Sequence, residues 1–385
     1  MRYFYSFIMV LSLLTCNISC DKEEVFITWE QERIETSLSI GSELYAVVGD
    51  TLRIYFQSIL INSNSNYILG LQCEKGSNYI LGLQCEKGSN YTNYWQYIPK
   101  TQDVGECPMY LSVYNIDGSK IAEKTIKLTT KVAINPSKRT NLLCIGNSLM
   151  EGGQTPIELS RRLKGTSGRY QIPQSLSLPN YYLTGRLHNQ DKTVGWEGTG
   201  GWTWYKYIQT LHIKEYVSQY CDGNIDFIYL QLGINELLSL SPFEEQTSIL
   251  NNAKELISNI HNAYPQCKVL LGSVLLPSQN GGLGANYPAN EVSGIYGERG
   301  FNLKVHKLNQ AYDSLAHSEE FSSYTYFIDN NAQFDCLHAY PTQEIPAGNY
   351  VEGTETIGTN GVHPTDVGYA QIAAGIFRAI VCLTQ

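Results

Sequence analysis

Four short stretches carry residue types that can make and break an ester bond. CIGNSL closes an apolar run and puts Ser148 where a strand would turn into a helix, so that its hydroxyl stands at an open sheet edge as a potential nucleophile. A helix beginning there would also aim its first N–H groups at developing negative charge. GGWTW supplies Gly200 and Gly201, whose backbone a ligand can approach closely, and Trp202 and Trp204, two rings able to wall a pocket. LGINE places the side-chain amide of Asn235 just past a second apolar run, in position to donate to an oxyanion. NGVHP holds His363, a general base by type, with Asn360 three residues before it. Each stretch also has a plainer reading. Ser148 can simply cap a helix, Asn235 can bond its own turn, and the Gly/Trp segment can be a loop over core aromatics.

These residues need a frame that gathers strand ends. From about residue 140 the chain supplies one. NLLCIG, IDFIYLQLG, KVLLGSVLL and YTYFID are short, continuously apolar runs of the kind buried parallel strands show. Between them Ile249, Leu250, Ala253, Leu256, Ile257 and Ile260 recur at helical spacing, as do Phe301, Val305, Leu308, Tyr312 and Leu315. The segment from Asp366 to Val381 is a closing helix. Strands alternating with helices predict a three-layer α/β sheet, and in such sheets ligands bind at the carboxyl ends of the strands. The stretch 277–300 follows a strand end, is long and rich in Gly and Asn, and is expected to shape the cleft.

Residues 22–135 have a different pattern. TLRIYFQSI alternates, and MYLSVYNIDGSKIAEKTIKLTT predicts two strands around an Asp117–Gly118 turn. A small all-β sandwich domain is the expected outcome, with Asn135-Pro136-Ser137 as the boundary and the α/β domain over 140–385. Within it NYILGLQCEKGS occurs twice in tandem, at 66–77 and 78–89. Twelve is an even shift, so a strand keeps its facing across the copy. Two YILGLQC strands joined by EKGSN follow, and Cys85 is then a copy of Cys73.

Arg2, an apolar stretch too short to span a bilayer and two cysteines form a signal-peptide pattern over residues 1–20. Cys20 follows a small residue and precedes DKEE, which favours it over Cys16 as a lipidation site. An ordinary secretory signal is the alternative. Either way the expectation is an exported protein: an outer-membrane or cell-surface lipoprotein, held to the membrane by its lipid anchor only, or otherwise a periplasmic protein. Eight cysteines lie beyond Cys20, in no CxxC or Cys/His cluster, so neither a disulfide pairing nor a structural zinc site follows from them. The 385 residues carry a formal net charge of -9, which argues against a nucleic-acid partner, since that would need a basic face.

Taken in order, CIGNSL, GGWT, LGINE and NGVHP resemble the blocks of the SGNH hydrolases, also called the GDSL esterase/lipase family. The resemblance spans about 140–385. It implies a flavodoxin-like α/β/α sandwich and serine ester hydrolysis without a cofactor or metal. It also implies the nucleophile at Ser148, the base at His363, and an oxyanion hole made of the Ser148 N–H, the Gly201 N–H (or that of Gly200) and the Asn235 side chain. Two positions depart from the family pattern. Asn147 stands where an Asp usually precedes the serine, a change expected to alter local hydrogen bonding at the substrate side of the turn. Asn360 stands where an Asp usually orients the histidine. Its carbonyl oxygen can accept from His363 Nδ1–H and hold the productive tautomer, or its NH₂ can donate to Nδ1 and hold the other. Asp329 and Asp335 are the carboxylates that could substitute; Asp366 is nearer in sequence but falls in the first turn of the closing helix, where it serves the helix dipole.

The resulting expectation is an exported serine esterase acting on acyl, chiefly acetyl, esters of a small molecule or a polysaccharide, with Trp202 and Trp204 stacking on sugar rings. Two alternatives are a catalytically impaired glycan-binding protein on the same scaffold and a lipase or thioesterase of the same family.

Overall fold

The computed structural model describes residues 37–61, 79–84, 87–115, 119–166, 176–187, 193–239, 246–279, 298–348 and 352–384. The signal segment with Cys20, the first repeat copy and the Asp117–Gly118 turn lie outside these residues, as does most of the 277–300 stretch.

The first third of the described chain is all-β: β1 Ser37–Leu38, β2 Glu43–Val47, β3 Leu52–Tyr55, β4 Leu60–Ile61, β5 Tyr79–Gln84, β6 Ser89–Asn90, β7 Tyr94–Tyr97, β8 Gly105–Asn115 and β9 Lys120–Lys131. β5 is the YILGLQ of the second repeat copy and pairs antiparallel with β8. One sheet runs β2-β9-β8-β5 and another β3-β7-β6. The pairing of β2 with β9 is parallel, with Glu43 opposite Lys127. Alternation puts Leu44 and Ala46, Leu52 and Ile54, and Met109, Leu111 and Val113 on inward faces, where the two sheets share one core with Trp95 and Leu128.

From residue 140 strands and helices alternate: β10 Thr140–Gly146, α1 Ser148–Glu151, α2 Gln154–Leu163, β11 Tyr181–Thr184, β12 Arg186–Leu187, β13 Gly195–Gly198, α3 Trp204–Thr210, α4 Ile213–Tyr220, β14 Phe227–Gln231, α5 Ile234–Ser239, α6 Thr247–Ala263, β15 Lys268–Gly272, α7 Glu298–Ala316, β16 Thr325–Ile328, β17 Thr342–Pro346, β18 Thr354–Gly358 and α8 Asp366–Leu383. β10 is the hub of the sheet. It pairs in parallel with β14 on one side and with β11 and β13 on the other, and β15 and β16 extend the sheet in parallel beyond β14. Among the described residues of this sheet only β12 pairs antiparallel, with β13. The central strands β10 and β14 are buried along their whole length, as their LLCI and FIYL runs require. α2 packs on α8, while α3, α4 and α7 pack on α6. The fold is the α/β sandwich of the SGNH type, with an N-terminal β region.

Residues 34–385 form one compact unit, so the change of architecture near 135–140 falls inside it. Buried polar bonds cross that change. Asp329 Oδ2 accepts from Gly41 N–H at 2.7 Å, and Asn331 Nδ2 donates to Ser58 O at 2.7 Å. Arg378 of α8 pairs with Asp50 at 2.7 Å. α8 is long and apolar enough to cross a membrane by composition, yet 78% of it is buried against the rest of the fold. Cys107, Cys144, Cys221, Cys267, Cys336 and Cys382 are free thiols, all but Cys107 buried.

Candidate active site

The turn that carries Ser148 is built by Asn147. Its backbone carbonyl accepts from Met150 and Glu151 N–H at 2.9 and 3.0 Å, and its Oδ1 accepts from Leu149 N–H at 3.1 Å. These bonds satisfy the first orphan donors of α1 and leave Ser148 at its first position. Asn147 is fully buried, so the expectation that it touches substrate is corrected: it is the cap that shapes the turn. The carbonyl of Gly146 before it is held by Tyr207 Oη at 2.6 Å and Thr199 N–H at 3.3 Å.

The glycine segment runs alongside. A Cβ on Gly198 would lie 2.6 Å from Glu151 N, so only glycine lets β13 end this close to α1. Gly201 adopts φ of 74°, a conformation that favours glycine, and both it and Gly200 are exposed. Among the described residues the N–H groups of Ser148 and Gly201 are taken by no acceptor.

Thr203 then caps α3, its hydroxyl accepting from Lys206 N–H at 3.2 Å. That start turns Trp204 inward. Its ring is fully buried and its indole N–H donates to Tyr312 Oη at 2.7 Å, so Trp204 belongs to the core and not to a substrate wall. Trp202 stays partly exposed, edge-on to Tyr207 with ring centroids 4.8 Å apart.

Asn235 Nδ2 donates to the carbonyl of Trp202 at 2.8 Å. An amide nitrogen carries two hydrogens, so this bond fixes the side chain and leaves the second available. The next residue, Glu236, accepts from Trp204 N–H at 2.7 Å, and its burial raises its carboxyl above the usual range. Glu236 thus ties the glycine loop to α5, a role the sequence analysis did not assign; the Glu directly after the amide in LGINE was the available signal.

His363 lies in the loop between β18 and α8. The β17–β18 hairpin delivers this loop, which is pinned by Thr359 N–H to Pro341 O at 3.0 Å, Ser278 N–H to Gly361 O at 3.0 Å and Thr365 N–H to Ala339 O at 2.8 Å. Its imidazole reaches across the sheet end, and Nε2 sits 2.8 Å from Ser148 Oγ. Two residues 215 positions apart are therefore in hydrogen-bond contact. Burial lowers the pKa of His363 below its ordinary 6.5, while the charge of Glu151 raises it in part. Glu151 is a second site residue that sequence reasoning missed.

Behind the ring, Asn360 Nδ2 lies 3.1 Å from His363 Nδ1. Asn360 Oδ1 accepts two backbone bonds, from Val362 N–H at 3.1 Å and His363 N–H at 2.9 Å. Turning the amide over would set NH₂ against those two donors, so the backbone decides which end faces the imidazole. Two of the alternative carboxylates are engaged elsewhere: Asp329 accepts from Gly41 and Ala332 N–H, and Asp335 pairs with His338 Nδ1 at 3.1 Å. Asp366 stands in the first turn of α8, three residues past His363. Among the described residues no group of three His, Cys, Asp or Glu is placed to hold a metal ion.

A parallel sheet that brings a serine hydroxyl and a histidine together at its carboxyl end defines the class of α/β serine hydrolases. The model of the GDSL-like lipase/acylhydrolase family matches residues 142–376, more than half of the chain, and the chain belongs to that family. No curated protein matches it. Among solved structures, a GDSL-like lipase from Bacteroides thetaiotaomicron shares 16% identity over 63% of this chain and 88% of its own, with a TM-score of 0.38. A carbohydrate esterase family 3 protein from Talaromyces cellulolyticus shares 15% identity over 63% and 96%, with a TM-score of 0.39.

Proposed function

We propose that this protein is an exported esterase that hydrolyses acyl esters, chiefly acetyl esters on carbohydrates, with Ser148 as nucleophile and His363 as base. The observation that carries this reading is the 2.8 Å contact between Ser148 Oγ and His363 Nε2. In the reaction the hydroxyl gives its proton to Nε2 while Oγ bonds to the ester carbonyl carbon. The N–H groups of Ser148 and Gly201 and the second amide hydrogen of Asn235 receive the carbonyl oxygen as it becomes an oxyanion. The alcohol leaves with the proton from Nε2, and water then cleaves the acyl-enzyme by the same route in reverse. Trp202, held by Asn235, and the neighbouring Tyr205, whose side is 58% exposed, suit stacking on a sugar ring. The N-terminal β region is read as a domain that holds or extends the carbohydrate site, and Cys20 as the lipid anchor that keeps the protein at the cell surface. A small activated ester is the substrate that a histidine with a neutral orienter serves best.

Turnover of p-nitrophenyl acetate by purified protein, its loss in Ser148→Ala, and phosphonate labelling of Ser148 test the reading. Absence of labelling in the native chain would sink it.

One observation favours a second reading, a glycan-binding protein on a hydrolase scaffold. Asn360 presents its NH₂ to Nδ1, which keeps the proton on Nε2 and leaves Ser148 without an acceptor. Affinity for acetylated glycans without turnover would select it.

A further inference from the structure

Asn360 is followed by Gly361. In an Asn-Gly pair the nitrogen after the asparagine can attack the side-chain carbonyl, because glycine has no Cβ to obstruct the approach. The structure adds to this chemistry. Asn360 Oδ1 accepts from Val362 N–H at 3.1 Å and from His363 N–H at 2.9 Å, which folds the side chain along the backbone that follows it. Those two donors stand where negative charge develops on Oδ1 as Cγ becomes tetrahedral, the arrangement of an oxyanion hole. Asn360 is only partly buried, so water reaches it.

We propose that Asn360 is a self-modification site, and that deamidation there converts the neutral partner of His363 into a carboxylate. The Gly361 nitrogen gives its proton to solvent and bonds to Asn360 Cγ. The Cγ–Nδ2 bond breaks, and ammonia leaves with a proton taken from water. A succinimide ring results. Water attacking at Cγ breaks the bond to the Gly361 nitrogen and leaves aspartate at 360; water attacking the backbone carbonyl leaves isoaspartate. No oxidant or reductant is involved.

The product acts on the site through a reversal of one hydrogen bond. One carboxylate oxygen keeps the Val362 and His363 N–H bonds. The other takes the place of Nδ2, 3.1 Å from Nδ1. It can only accept, so Nδ1 must carry the proton and Nε2 becomes the acceptor for Ser148. The activating role rests on the esterase reading above; the modification itself does not.

The test incubates the full chain at mildly alkaline pH and samples it over days. Peptide mapping with fragmentation that separates aspartate from isoaspartate follows position 360, and the same samples are assayed on p-nitrophenyl acetate. Asn280–Gly281, the other Asn-Gly pair in the chain, serves as the reference. The expected result is aspartate accumulating at 360 and a rate rising in proportion, toward that of Asn360→Asp. Asn360→Gln, whose longer side chain closes a less favourable ring, and Gly361→Ala should show no such rise. Gly361 has no left-handed φ, so alanine fits its backbone. An unmodified Asn360 while Asn280 converts, or isoaspartate as the sole product, overturns the inference. So does aspartate accumulating without a gain in rate while Asn360→Asp is active. If Asn360→Asp is itself inactive and Ser148 resists labelling, the esterase reading falls, whatever the mass record at 360.

Discussion

Asn360 Nδ2 lies 3.1 Å behind His363 Nδ1, and Ser148 Oγ lies 2.8 Å ahead of Nε2 on the same ring. The two contacts compete for one proton. With an amide donor behind it, the neutral imidazole keeps its hydrogen on Nε2 and donates to the serine. Catalysis needs the reverse, so each turnover must first move the ring to the less favoured tautomer. In the proposed mechanism the departure at 360 therefore acts on the base, His363, and leaves the roles proposed for Ser148, Gly201 and Asn235 as they are.

Asn360→Asp is accordingly expected to raise kcat/KM on p-nitrophenyl acetate. The opposite exchange costs a serine protease about 10⁴ in kcat. An activated acetyl ester needs less help, so a gain on the order of 10²-fold is expected here, within the usual reach of general-base catalysis. Steady-state kinetics on both proteins checks it, and an unchanged rate would mean that the amide does not set the tautomer.

The acid limb of the pH profile should lie below the ordinary histidine value of 6.5, because burial lowers the pKa of His363. The base must be neutral to act, so the rate rises as pH increases through that lowered value and is flat above it. Glu151 pulls the pKa back up through its charge. Glu151→Gln should therefore move the limb to still lower pH without moving the plateau greatly. A limb that shifts upward would assign the control of His363 to another group.

Much of this arrangement was legible in the sequence, and the exceptions have physical causes. β10, β14, β15 and β16 show as continuous apolar runs because both faces of an internal parallel strand are covered. The Ser148, Asn235 and His363 stretches show because each follows such a run or opens a helix. Trp204 turns into the core against expectation because the direction of a ring depends on where its helix starts. Thr203, a preferred N-cap type, and the spacing of Trp204 to Tyr207 were the signals that put both on the inner face of α3. The parallel pairing of β2 with β9 was not readable, since strands far apart in sequence carry no mark of their partner's direction. The orientation of the Asn360 amide was equally hidden. It is decided by two backbone N–H groups, and backbone groups have no sequence signature.

In the proposed mechanism Asn235→Ala removes one oxyanion donor, and it also releases the Trp202 carbonyl. Loss of such a donor costs about 10²–10³ in kcat. The fall should appear in kcat more than in KM, since the interaction forms with the transition state. A change confined to KM would make Asn235 a binding residue only.

A buried ion pair joins the β region to α8. Asp50 and Arg378, both nearly fully buried, pair at 2.7 Å, and Arg162 reaches the other oxygen of Asp50 at 3.2 Å. Arg378 also donates to Gln333 Oε1 at 2.7 Å and to Thr51 O at 3.0 Å. Burial by itself would raise the Asp50 carboxyl, but Arg162 and Arg378 together hold it below its ordinary 3.8. The stabilisation is thus complete above pH 3.8 and is lost as pH falls through the lower folded value. Arg378→Met fills similar space but leaves Asp50 with Arg162 alone and Gln333 short of a donor. Removing one partner of a buried pair costs about 3–5 kcal/mol, and the remaining arginine should keep this case near the lower end. Urea denaturation at neutral pH reads the loss as a lower midpoint with an unchanged slope. A midpoint equal to that of the native chain would show that the pair contributes no more than its own desolvation takes away.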